Sequence, residues 1–127
     1  MKRKVKKAIL FFGLILVSVM FSGCKNNDPS VLKIFVRSAS NELVNGAQVV
    51  IVGDVNSNPA TLAFVDTLAT NASGFVEFNM DTYFTMAGEG NTTGYFDVIV
   101  KNGLKTGTEY VRCRSHITTV QTVYLMN

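Results

Sequence analysis

Residues 31–37, Val31-Leu32-Lys33-Ile34-Phe35-Val36-Arg37, decide the fold class. Leu32, Ile34 and Val36 fall on one side of an extended chain, and Val31, Lys33, Phe35 and Arg37 on the other. That period of two is the mark of a half-buried strand.

The same pattern extends along the chain. Residues 38–42 are a polar turn. Residues 43–52 read as a second strand with Ala47, Val49 and Ile51 on one side, and Asn45-Gly46 within it marks a bulge or bend. The loop 53–59 separates it from a third strand at 60–70. Asn71-Ala72-Ser73-Gly74 is a hairpin-like turn into a short strand, where Phe75 and Glu77 oppose Val76 and Phe78. Residues 80–86 fit either an extended segment or one helical turn packed on the sheet, and 87–94 form a second large loop. The most apolar strand is 95–101. Asn102-Gly103 signals a tight hairpin, and strands at 106–115 and 117–126 close the domain. No ten-residue stretch beyond residue 23 has helical spacing. Seven short strands, with turns every eight to twelve residues, predict an all-β, antiparallel seven-stranded sandwich.

Upstream of this domain the composition changes. Lys2, Arg3, Lys4, Lys6 and Lys7 make a positive start, and residues 8–21 are apolar except for Gly13 and Ser18. Fourteen residues suit the apolar region of a signal peptide, whereas roughly 20 are needed for a stable bilayer span. The positive end stays cytoplasmic, so the remainder of the chain is exported. The run ends in Phe21-Ser22-Gly23-Cys24. This resembles the lipobox of bacterial lipoproteins, in which an apolar residue and two small residues precede a modified Cys. The resemblance implies cleavage between Gly23 and Cys24 and a diacylglycerol thioether on Cys24. The expected organisation is a signal peptide at 1–23, a polar, flexible tether at 24–30, and a β-sandwich at 31–127.

Charge excludes one class of function. The whole chain carries +3, but five of its twelve basic residues lie in the first seven positions. From Cys24 onward seven basic side chains face nine acidic ones, a net −2. A basic nucleic-acid binder is not expected.

The order of signals from Leu32 to Val100 resembles the carboxypeptidase regulatory-like, or transthyretin-like, β-sandwich, an immunoglobulin-like architecture. The residues that carry the likeness are the strand 32–36, then Asn45-Gly46-Ala47-Gln48-Val49-Val50-Ile51, then the stretch 67–78 with its Asn71-to-Gly74 turn. Gly94-Tyr95 opening the strand 94–100 completes it. Asn71 stands where Asp is usual, and residues 80–93 are a long insert. Modules of that class are mostly non-catalytic spacers or interaction domains, so the likeness implies fold more than activity. The class also contains a hydrolase of 5-hydroxyisourate that depends on several His and Arg residues and a Tyr-Arg-Gly-Ser terminus. This chain has one His and ends Tyr124-Leu125-Met126-Asn127.

Few residues offer chemistry. With Cys24 lipidated, Cys113 has no partner; it shares a strand face with Val111 and reads as a small core side chain. His116, between two strands, has no second His or nearby Cys with which to bind zinc. Asp54-Val55-Asn56-Ser57-Asn58 opens like a calcium loop, but Pro59 and Val65 stand where Gly and the bidentate Glu belong. No catalytic residue, metal or cofactor is expected. Tyr83, Phe84, Met86 and Tyr95, in and beside the insert, are the best candidates for a contact surface, since aromatics are enriched at interfaces, although side chains of this kind are more often packed in a core.

The expectation is a lipid-anchored module of the cell envelope, at the outer rather than the inner membrane. Its partner would be a protein or a glycan. Alternatives are a subunit of a surface assembly that pairs an edge strand, and a small glycan-active enzyme built on paired carboxylates.

Overall fold

The computed structural model of the protein describes residues 27–127. The expected leader and lipobox, Gly23 and Cys24 included, lie outside the described residues. The elements are β1 (Val31–Arg37), β2 (Gln48–Gly53), β3 (Val65–Ala69), β4 (Phe75–Asn79), α1 (Asp81–Ala87), β5 (Thr93–Asn102), β6 (Lys105–Arg114) and β7 (Thr118–Tyr124). They form a three-stranded sheet in the order β4-β1-β7 and a four-stranded sheet in the order β3-β2-β5-β6.

The alternation in the sequence places the core. Leu32, Ile34 and Val36 of β1 are fully buried, as are Val49 and Ile51 of β2 and Phe96, Val98 and Val100 of β5. Val76 and Phe78 of β4 and Val111 and Cys113 of β6 join them. Each such aliphatic side chain contributes about 1.5–3 kcal/mol by leaving water. Two glycines are set by packing. A Cβ at Gly107 would collide with the Tyr124 carbonyl oxygen, so Gly107 lets β6 close against the end of β7. A Cβ at Gly94 would stand 2.8 Å from the Phe96 ring and 3.0 Å from the Tyr83 ring.

The structure departs from the sequence pattern in several places. First, β1 and β7 run parallel, with Val31 opposite Thr118 and Arg37 opposite Tyr124, so the sandwich is not wholly antiparallel. Second, the second strand starts at Gln48 rather than residue 43. Gly46 has φ of 77°, which turns the chain, and Leu43 keeps only an isolated bridge to Arg37. Third, the third strand starts at Val65 rather than residue 60. Side chains take the place of a ladder before it: the Leu62 amide donates to the Tyr83 hydroxyl at 3.1 Å, and the Tyr95 amide to Thr61 Oγ1 at 2.8 Å. Fourth, the turn at 71–74 switches sheets rather than closing a hairpin, since β3 and β4 lie in different sheets. Asn71 Oδ1 accepts from the Ser73 and Phe75 amides, and Gly74 takes φ of 76°.

The ambiguous stretch after β4 is helical. Asn79 Oδ1 accepts from the Asp81 amide at 3.0 Å, and Tyr83 and Phe84 turn into the core. Gly88, with φ of 89°, ends α1 by donating to the Phe84 carbonyl. The β5–β6 hairpin turns on Gly103-Leu104, one residue later than the Asn102-Gly103 signal, because Asn102 pairs with Lys105. Gly at the first central position, with φ of 63°, suits a two-residue loop.

Candidate functional site

Two of the four expected contact residues belong to the core. Tyr83 is 1% exposed, and its ring meets Phe64, Phe84 and Phe96 edge-on at 5.6, 5.2 and 5.1 Å. Phe84 is also buried. The sequence leaves both open to a contact surface or to core packing, and α1 settles it by turning both inward. Met86 stays exposed on α1, whereas Tyr95 is half-buried on the outer face of the four-stranded sheet. The four side chains therefore do not share one surface.

That outer face carries a stacked pair of aromatic rings outside the core. Tyr95 pairs with Arg112, Asp97 pairs with Tyr110, and the two tyrosine rings stack diagonally at 6.0 Å and 18°. Val50, Val52 and Ile99 continue the face as half-buried side chains, and Val65 extends it, exposed, on β3. The Tyr110 hydroxyl donates to Asp54 Oδ2 at 2.7 Å. This bond to a carboxylate, with some loss of solvent and the nearby acidic groups, pushes Tyr110 up to about 12. Asp54 Oδ1 also accepts from the Asn56 amide. The stretch that opens like a calcium loop thus spends its carboxylate on its own turn and on Tyr110. Among the described residues no three His, Cys, Asp or Glu side chains gather in a metal-binding group.

The second feature is an open groove of about 640 Å³ at the end of the sandwich where the chain enters. It is bounded by Asp28, Ser30, Asp81, Phe84, Glu89 and His116. Ser30 is 1% exposed and is held from three directions. Its amide donates to Asp81 Oδ1 at 2.9 Å, its hydroxyl accepts from the His116 amide at 2.7 Å, and its carbonyl accepts from the Met80 amide. The Ser30 amide, and secondarily its hydroxyl, hold the Asp81 carboxyl below the usual range. His116 takes φ of 63°, and its Nδ1 lies 2.7 Å from the Asp28 carbonyl. A carbonyl oxygen only accepts, so Nδ1 carries the proton.

Ser30, His116 and Asp81 thus converge, but not in the order nucleophilic catalysis needs. A triad has the imidazole accept from the serine hydroxyl and donate to the carboxylate. Here the serine bonds the His116 backbone and Asp81, while Nδ1 holds the Asp28 carbonyl. The arrangement fastens residues 28–30 to α1 and to the turn before β7. Residues 28–30, expected as part of a flexible stretch, are thus bonded to the domain from the Asp28 carbonyl onward.

Cys113 is buried as its strand face implies, and burial pushes its thiol up to about 12. Sequence reasoning misses Ser30, Asp81 and Tyr110. Ser30 and Asp81 are 51 residues apart and Tyr110 and Asp54 are 56 apart, so no local spacing marks either pair. No protein-family model matches the chain, and neither does any curated protein. The described residues form a β-rich, two-sheet sandwich domain of about 100 residues.

Proposed function

We propose that this protein is a bacterial lipoprotein of the cell envelope. Cys24 carries the lipid, and the sandwich, of the carboxypeptidase regulatory-like or transthyretin-like kind, serves as a non-catalytic binding or structural accessory module for a protein or glycan. The observation that carries the reading is Ser22-Gly23-Cys24 standing directly behind a positive start and a fourteen-residue apolar run. Acyl chains contribute about 0.8 kcal/mol per buried methylene, so two or three chains hold a small domain on a membrane. The order of Ser30, His116 and Asp81, which fastens the chain rather than arming a nucleophile, favours a non-catalytic module.

Metabolic labelling tests the reading. In native-host cells fed an alkyne fatty acid, the wild-type protein takes up label, Cys113→Ala takes it up equally, and Cys24→Ser takes up none. An unlabelled wild-type protein overturns the proposal.

One observation favours a second reading, in which the module pairs an edge strand with another chain. β3 ends the four-stranded sheet, and Val65, Leu68 and Leu62 beside it are exposed. Asp66 opposes it, because it occupies an inward-facing register position on that edge, opposite Ile51. Assembly that grows with concentration and is lost in Val65→Lys would support this second reading.

A further inference from the structure

We infer that the end of the sandwich bearing α1, the loop 88–92 and the turn 115–117 is the face the protein turns to the lipid surface. The inference rests on the proposed lipid at Cys24 and adds an orientation to it.

Chain reach sets this orientation. An extended chain advances about 3.3–3.6 Å per residue, so the four steps from Cys24 to Asp28 span at most about 14 Å. Beyond Asp28 there is no slack. Its carbonyl is held by His116 Nδ1, and Ser30 is bonded to Asp81, to the His116 amide and to the Met80 amide. Val31 then enters β1 directly, its amide donating to the Ile117 carbonyl at 3.1 Å. The groove between Asp81, Glu89 and His116 therefore stays within a short tether's length of the headgroups, whatever the tilt of the domain.

The other end is out of that reach. β5 and β6 are each ten residues long and run from Thr93 and Arg114 to the Gly103-Leu104 turn. At about 3.3 Å per residue that is roughly 30 Å, twice what residues 24–28 can span. Leu104, 99% exposed, occupies the far tip. A net charge of −2 from Cys24 onward gives an anionic surface no net pull on the domain as a whole, and the basic side chains at the far tip, Lys101 and Lys105 beside Leu104, make that tip the competing end. The short tether does not let the domain invert, so the end bearing α1 stays at the membrane, and the distal tip and the outer sheet faces are left to a partner.

The test uses acylated protein purified from native-host membranes. Glu89→Cys and Leu104→Cys change exposed positions, and each would be labelled with a fluorophore; the buried Cys113 thiol takes no label. The proteins are placed in vesicles of phosphatidylethanolamine and phosphatidylglycerol that carry a nitroxide on the headgroup. The expected result is several-fold stronger quenching at position 89 than at 104. A Gly-Ser insert of ten residues between positions 26 and 27 should weaken the quenching at 89. Acylated protein with equal or stronger quenching at 104 overturns the orientation and leaves the lipoprotein reading standing. Protein whose mass shows no acyl chain overturns both.

Discussion

Cys113 links the sequence to a measurable property of the folded molecule. It pairs with Gly94 across the β5–β6 ladder and faces inward beside Val111. The alternation of 110–115 places it there without reference to distant residues, so its burial is legible in the sequence. Burial pushes its thiol from an ordinary 9.0 to about 12. Between those values the unfolded chain releases the proton and the folded chain keeps it. The stabilisation is thus complete below pH 9 and is lost as pH rises towards 12. Tyr110 adds to the decline in the upper part of that window, since Asp54 holds its proton from 10.0 up to about 12. Urea midpoints should hold steady from pH 7 to 9 and fall above it, with a shallower fall in Cys113→Ala. At pH 8 a thiol reagent should leave Cys113 of the folded protein untouched and modify it in urea; full modification of the folded wild type would show that the thiol is not buried. Tyr83 and Phe84 are not legible in the same way. Whether an aromatic in a short insert faces solvent or core depends on where the insert docks, and the docking contacts, Phe64 and Phe96, lie in other segments.

Among the elements, strands with strict alternation are legible in the sequence, and those with mixed signals are not. β1, β4 and β5 declare themselves because each buries one face against the opposite sheet. β3 does not: four of its five residues are exposed at the sandwich edge, and the residues before it are held by Thr61 and Tyr83 instead of a ladder. α1 has seven residues, too few for a helical period to stand out, and little of its stability comes from its own hydrogen bonds. Its stability comes from Tyr83 and Phe84. Tyr83→Ala should therefore cost about 3–5 kcal/mol in urea unfolding, through the cavity it leaves. Met86→Ala, on the exposed side of the same helix, should change stability by no more than about 0.5 kcal/mol. Similar losses from both would contradict a helix that docks through Tyr83 and Phe84.

At the scale of the whole molecule, a fold that the described residues display stands beside an attachment that is proposed for residues outside them. Two-sheet architecture is expected from strand number and spacing. The parallel β1–β7 pair is not, because it joins the first strand to the last and no local pattern encodes which strands become neighbours. The four-stranded sheet also ends in acids at matching positions: Asp66, Ile51, Val98 and Glu109 share one row across it, with the acids on the two edge strands. Acids at inward-facing register on both edges discourage unplanned pairing. Residues 28–30, fastened by Asp81 and His116, join this body to the segment proposed to carry the lipid. The proposed attachment stands or falls on Cys24 becoming a lipidated N-terminus. Intact-mass spectrometry of the protein extracted from native-host membranes reads this without intermediaries. The expected species is a chain that starts at Cys24 and is heavier by a diacylglycerol thioether; an unmodified Cys24, in a chain cut elsewhere or not cut at all, would refute it.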